Sequence, residues 1–317
     1  MLSSTPTVDL VGVGLNATDT LIVLHDFPVR GSKSEFRAAP PSLGGQVATA
    51  IVACQHWGLR TRYVGKLGDD FSGRLHTEEF ARLGVEAQIV TVPNAMSPQS
   101  LIVIDATGER TILARKDDRL TLQPTELQQD WVTDARALLI DGHDTAAALE
   151  AARWAREAGI PVVADLDEIY PGIEPLLHSI DYLIVSRDFP ARLTGEPDLE
   201  QALTLIARRY SATLTAATLG EGGVLAWDGR RFHHAAAYDV PVVDTTGAGD
   251  LFHAGFLFGL LQGWPLDQQL DFACAAAALN CSATGARGGI APRASIEQLI
   301  TVGARHPAPA VLDPHIV

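Results

Sequence analysis

Apolar positions along this chain fall into two rhythms. Short, mostly apolar runs at 8–13, 61–64, 137–140 and 181–185 read as strands buried in a sheet. Longer stretches that read as helices occupy 47–57, with small apolar residues along it, 74–83, 145–158, 172–178 and 198–209. From residue 137 the two rhythms alternate: strand 137–140, helix 145–158, strand 160–164, helix 172–178, strand 181–185, helix 198–209, strand 212–217. A hairpin over 223–234 and a strand at 239–243 follow, then the apolar helix 251–261. Such alternation requires crossover connections and predicts an α/β fold with a mostly parallel central sheet between helical layers. Short β segments at 21–24 and 35–38, and a hairpin of 99–104 with 110–114 around Asp105-Ala106-Thr107-Gly108, break the rhythm. They read as a small β lid built from about 20–40 and 98–115. The expected organisation is one domain over 1–303 and an extended tail over 304–317.

The 317 residues carry Lys+Arg 24 against Asp+Glu 38, a net charge of −14. Nucleic acid and anionic membrane both demand a basic footprint, so neither is expected as a partner. Cys54, Cys274 and Cys281 offer no Cys-x-x-Cys pair, which argues against a disulfide framework and a zinc site. No leader segment and no run long enough to span a bilayer is evident, and a cytoplasmic protein is expected.

The densest chemistry lies in Asp244-Thr245-Thr246-Gly247-Ala248-Gly249-Asp250, between a valine-rich run and the helix over 251–261. A turn of small residues at a helix start leaves backbone N–H groups pointing outward at the positive end of the dipole, a nest for phosphate. Asp250 is out of place there, because a carboxylate repels an anion. It makes sense as the acceptor of a proton from a hydroxyl that attacks a bound phosphoryl group. Read alone, it is more readily a capping residue in a first turn; the Gly247-Ala248-Gly249 before it favours the proton acceptor.

Other motifs are weaker. Gly12-Val13-Gly14-Leu15-Asn16-Ala17 matches the dinucleotide fingerprint in letters, but β-prone Thr20-Leu21-Ile22-Val23 follows where that fingerprint needs a helix. Asp19 then stands at the end of the first strand, placed to bond vicinal hydroxyls. Gly44-Gly45-Gln46 opens a helix and lets a polyol press against the backbone. Thr218-Leu219-Gly220-Glu221-Gly222-Gly223 is a glycine turn after a strand, and no P-loop exists. His233-His234 and Asp141-Gly142-His143-Asp144 lack zinc spacing. They read as exposed hairpin histidines and a strand-end turn.

The stretch from Val243 to Phe256 resembles the second signature of the ribokinase-like (PfkB) carbohydrate kinases. Leu43-Gly44-Gly45-Gln46-Val47-Ala48-Thr49-Ala50, continuing to Val64-Gly65-Lys66-Leu67-Gly68-Asp69-Asp70, resembles the first. The likeness runs from about residue 8 to 292, and the segment Cys281 to Ile290 is most similar to ketohexokinase and sulfofructose kinase-like members. It implies a three-layer ribokinase-like sandwich whose lid closes over a sugar and dimerises. It also implies ATP and Mg²⁺, Asp250 as catalytic base, and an anion hole from Gly247, Ala248 and Gly249. Asn16, Asp19, Gly44, Gly45 and Thr49 would meet the sugar. Thr218, Gly220 and Gly223 would line the ATP, with Asn280 and Gly285 near the adenine. Asp244, Thr246 and Gly289 match the positions that hold a monovalent cation, K⁺, in ribokinase-type members.

Three departures stand out. Thr49 replaces a common sugar-binding Asn, and Ser186-Arg187-Asp188-Phe189 replaces an Asn-x-x-Glu tied to Mg²⁺. Lys66 stands where small or apolar residues are usual, facing either solvent or a charged substrate. Specificity is expected from the lid residues Lys33, Arg37, Gln99 and Arg115, with Arg115 the first candidate for an anionic substituent. The resulting expectation is an ATP-dependent sugar kinase. A nucleoside kinase of the same family and a catalytically silent nucleotide- or sugar-binding sensor are the alternatives.

Overall fold

The computed structural model describes residues 6–38, 40–104 and 110–307. In chain order these form β1 (Leu10–Val13), β2 (Ala17–Val23), β3 (Arg37–Ala38), β4 (Ser42–Gly44), α1 (Gln46–His56), β5 (Thr61–Gly68), α2 (Phe71–Leu83) and β6 (Glu86–Val92). Next come β7 (Gln99–Ile104), β8 (Arg110–Arg115), α3 (Gln129–Thr133), β9 (Ala137–Asp141), α4 (Thr145–Glu157), β10 (Val162–Leu166), α5 (Ile173–Leu177) and β11 (Tyr182–Ser186). The chain continues through α6 (Phe189–Thr194), α7 (Leu199–Tyr210), β12 (Leu214–Thr218), β13 (Val224–Trp227), β14 (Phe232–Ala235), α8 (Ala248–Leu261), α9 (Leu266–Asn280) and α10 (Arg293–Val302).

The larger sheet has the order β14-β13-β12-β11-β10-β9-β1-β5-β6. It is parallel from β12 to β6, and the two pairings at its edge, β12–β13 and β13–β14, are antiparallel. Its two faces feed two separate cores. Leu10, Leu139, Val163 and Ile184 point to α1, α8 and α9. Val11, Leu138, Val162 and Leu183, one residue away on the same strands, point to α4, α5 and α7. Burial on both sides is why these strands read as mostly apolar runs. The tightest helix contact is α8 on α9, where a Cβ on Gly255 would stand 2.7 Å from the Ala273 backbone. None of the helices among the described residues is long and apolar enough to cross a membrane.

The lid is a second sheet, ordered β3-β2-β7-β8 with β4 also paired to β2. It is not a pair of simple hairpins, because β2 runs parallel to β7 from Thr18↔Gln99 to Val23↔Ile104. The lid strand begins at Ala17, earlier than the apolar run suggested, so Asp19 lies inside β2 rather than at the end of β1. The loop Asp105 to Gly108 lies outside the described residues.

Other boundaries also differ. No strand forms at 239–243: Pro241 has no N–H to donate, Val242 and Val243 are exposed, and only the bridge Tyr238↔Arg305 occurs there. Sequence periodicity missed β6, a half-exposed edge strand, and α6, a helix of six residues with Pro190 near its start. The start of the supposed tail is docked: Arg305 bonds the Ala236 carbonyl at 3.0 Å and pairs with Asp271 at 2.5 Å. Residues 308–317 lie outside the described part.

Candidate active site

The turn before α8 is held by its own first residue. Asp244 Oδ1 accepts from the Thr246 N–H at 2.9 Å and hydroxyl at 2.7 Å, while Oδ2 accepts from the Gly285 N–H at 2.8 Å. Gly247 then takes φ 77°, and a Cβ there would sit 2.4 Å from the Ala286 carbonyl oxygen. Both the left-handed backbone and the close contact demand glycine. The side of the turn at Gly249 is open, with no atom within 4 Å of an added Cβ. The N–H groups of Gly247 and Gly249 have no backbone acceptor among the described residues, whereas that of Ala248 makes a long 3.3 Å bond to Thr245 O. Two donors of the expected anion hole thus keep no backbone acceptor among the described residues, and the third is partly engaged.

Asp250 follows in the first turn of α8. Burial pushes its carboxyl well above the usual range, and the charge of Asp165 pushes the same way. His253 and Arg287 oppose this, and Asp19 adds to it. Asp165, in β10, is itself buried and raised, first by burial and then by Asp167 and Asp141. Gln46 Nε2 donates to its Oδ1 at 3.3 Å. Gln46 Oε1 meets His143 Nε2 at 3.1 Å, and the Tyr170 hydroxyl meets the same nitrogen at 3.1 Å. A polar cluster thus gathers at the C-terminal ends of β9 and β10, where open α/β sheets bind ligands.

On the lid side, Asp19 is pushed up to about 6 by burial, which the Ser100 hydroxyl and the Arg287 charge partly offset. Gly44 closes against it, since a Cβ would lie 2.2 Å from Asp19 Oδ2. Gly45, at φ 92°, packs equally closely on Leu15 and Asn16. Asn16 is buried, and both polar atoms of its side chain lack a hydrogen-bond partner among the described residues. Such an orphaned amide is what a bound polyol would satisfy.

Two cavities flank the turn. One, of about 340 Å³, is lined by Thr218, Gly220, Gly223, Thr245, Ala248 and Gly249, with Val240 and Cys281 among its apolar walls. The other, of about 220 Å³, lies between the lid and the loop after α9, bounded by Asp19, Leu21, Ser42, Ile102, Asp244, Thr246 and Gly285.

Several expected residues have other roles. Asn280 is fully buried and does not line the larger cavity: its Nδ2 donates to Thr246 O at 3.0 Å and its Oδ1 accepts from Gly289 N at 3.2 Å. Gly285 lines the cavity of Asp19 instead of the nucleotide-sized one. The donors expected for a monovalent cation are engaged internally. Both Asp244 oxygens and the Thr246 carbonyl accept hydrogen bonds, and the Gly289 N–H donates to Asn280; each of these oxygens keeps a second lone pair. Thr49 is buried, and its hydroxyl accepts from Arg287 Nε at 3.2 Å. Arg115 stands opposite Gln99 in the lid, and Asp19 opposite Ser100 one residue on. Pleating therefore turns Arg115 to the other face of the sheet from Asp19, where it bonds Gln99 at 3.0 Å. Lys66 faces neither solvent nor substrate; it is buried in an ion pair with Glu126 at 2.7 Å. His233 is likewise not exposed but sits between Asp228 and Asp267.

Sequence reading missed Asp165, His253, Gln46 and Arg287. Asp165 had a usable signal, an acid at the end of an apolar strand in an alternating α/β pattern. Arg287 had none, because its partners lie more than 200 residues away.

The sequence matches the profile of the pfkB family carbohydrate kinases over residues 14–293. It is 26% identical over 285 residues to a 5-dehydro-2-deoxygluconokinase of Geobacillus kaustophilus, spanning 81% of this chain and 84% of that protein. It is 29% identical over 307 residues to an acarbose 7(IV)-phosphotransferase of an Actinoplanes species, spanning 91% and 97%. The fold superposes on Arabidopsis thaliana ribokinase, solved with ribose and ATP, with a TM-score of 0.81 at 25% identity over 93% of this chain and 99% of that one.

Proposed function

This chain belongs to the pfkB family of carbohydrate kinases, and on that premise we propose that it transfers the γ-phosphoryl group of ATP to a hydroxyl of a sugar or sugar derivative. One observation carries the reading: the turn 244–250 stands between two cavities, with Thr245, Ala248 and Gly249 facing the larger and Asp244 and Thr246 facing the one that holds Asp19. ATP enters the larger cavity along the glycine turn at Thr218 to Gly223. The sugar lies on the lid side, against Asp19, Asn16, Gly44 and Gly45, where the unpartnered Asn16 amide gains hydroxyl partners.

Asp250 takes the proton of the attacking hydroxyl, and its raised pKa makes it a better base near neutrality than an ordinary aspartate. The N–H groups at the start of α8 meet charge on the transferring group. Losing that stabilisation costs on the order of 3 kcal/mol. Closure of the lid excludes water. Mg²⁺, when bound, neutralises phosphate charge; the described residues form no group of three or more metal-binding side chains, and Phe189, where many relatives carry Glu, is buried in the core. In this reading the cation is carried on the nucleotide phosphates and keeps most of its waters. Exposed Phe36, Ile112 and Leu113 on the lid support a homodimer formed through it.

The test is ADP release in a coupled assay across neutral sugars, sugar acids, sugar phosphates and nucleosides, with wild type and Asp250→Asn. Hydroxyl-dependent turnover that Asp250→Asn abolishes, with ATP affinity retained, is expected. Retained turnover in the variant would remove Asp250 from its role.

A further inference from the structure

Arg287 is buried, with a side chain 7% exposed, yet it belongs to a loop rather than to a helix or strand. That loop is fastened to the anion turn at three points. Gly285 N–H donates to Asp244, Ala286 packs against Gly247, and Asn280 bonds both Gly289 N–H and the Thr246 carbonyl. Any displacement of 285–289 therefore displaces Gly247 to Gly249.

The guanidinium reaches the other way. Its Nη2 donates to the Gly44 carbonyl at 2.8 Å, its Nε to the Thr49 hydroxyl at 3.2 Å, and its Nη1 pairs with Glu79 of α2. Gly44 is the residue that closes on Asp19, and Gly45 the one that closes on Asn16. One planar cation thus spans the two halves of the reaction centre, and its forked donors fix direction as well as distance.

We propose that Arg287 is a positioning residue that sets the spacing between the acceptor loop at Gly44–Gly45 and the anion turn at Gly247–Gly249. It holds the attacking hydroxyl at the reach of Asp250. This inference rests on the kinase reading but goes beyond it, because Arg287 lines neither cavity and acts through the loops it joins. Lysine supplies the charge without the fork, so it keeps the pull of Glu79 and loses at least one of the two bonds to Gly44 and Thr49.

The experiment measures kcat and both KM values for wild type, Arg287→Lys, Arg287→Gln and Glu79→Gln, using ATP and the best acceptor from the panel above. Thermal melting and the Kd of a non-hydrolysable ATP analogue report folding. Misplacement by about 1 Å costs roughly 100-fold in rate. The expected result is a kcat loss of that order in Arg287→Gln, with the ATP KM within about twofold of wild type. Arg287→Lys should fall between the two, and Glu79→Gln, which loosens the fork, should lose kcat in the same sense. If Arg287→Gln does not fold, Arg287→Lys and Glu79→Gln decide by the same split. A folded variant with kcat near wild type, or a loss expressed only in the ATP KM, would overturn the assignment. Absence of acceptor-dependent turnover in wild type would instead sink the kinase reading.

Discussion

His253 Nδ1 lies 3.3 Å from the carboxylate of Asp165, and the same nitrogen is 2.8 Å from the Gly249 carbonyl. One buried imidazole therefore links β10 to the first turn of α8, three residues beyond Asp250. Burial lowers its pKa, while contacts to Gly249 and to Ile184 O at 3.2 Å act against that. Asp165 is in this way fixed near Asp250, the proposed base, whose pKa its charge raises.

The first consequence concerns pH. Asp250 must be deprotonated to accept a proton, so raising its pKa moves the acidic limb of kcat to higher pH. Asp165 contributes part of that rise through its charge, together with burial and Asp19, against His253 and Arg287. Asp165→Asn removes a like charge and should shift the limb to lower pH. A profile of kcat between pH 4.5 and 8.5, about the range proteins tolerate, checks this. A limb that stays in place would show that the two carboxylates are uncoupled.

Stability should also respond to Asp19. Its carboxyl is pushed from 3.8 to about 6, so the fold favours the protonated form. The stabilisation is complete below the unfolded value and is lost as pH rises through about 6. The shift of about two units corresponds to at most about 3 kcal/mol. Asp19→Asn, neutral throughout, should therefore gain stability over wild type between pH 4 and 7, read as a growing difference in melting temperature. A constant difference would contradict the shift.

The Glu79–Arg287 pair is buried on both sides, at 14% and 7% exposure. Glu79→Ala strands a buried guanidinium and should cost about 3–5 kcal/mol in urea unfolding. Glu168→Ala breaks an exposed pair with Arg192, at 54% and 44%, and should cost less than about 1 kcal/mol. Equal costs would mean that Arg287 finds other partners.

Much of this protein was legible before its structure. The parallel sheet could be read because strands covered on both faces must be apolar throughout, and that is a local property of the chain. The turn at Asp244 to Asp250 could be read because glycine at φ 77° and a first-turn carboxylate are likewise local. The misreadings share a cause. Pro241 and the exposure of Val242 and Val243 cancelled a strand that local composition favoured, and one step of lid register turned Arg115 away from Asp19. Lys66 looked free until Glu126, 60 residues on, proved to hold it.

By itself, then, the sequence determined the layered fold and the small-residue turn that ends in Asp250, since each is written in local patterns of residue type. Tertiary structure alone decided which charges share the site. Asp165 meets His253, and Arg287 meets Gly44, Thr49 and Glu79, only because β10, α8, α1, α2 and the loop after α9 converge at one end of the sheet. No local pattern encodes such encounters, because their energy comes from desolvation that exists only once the elements are packed.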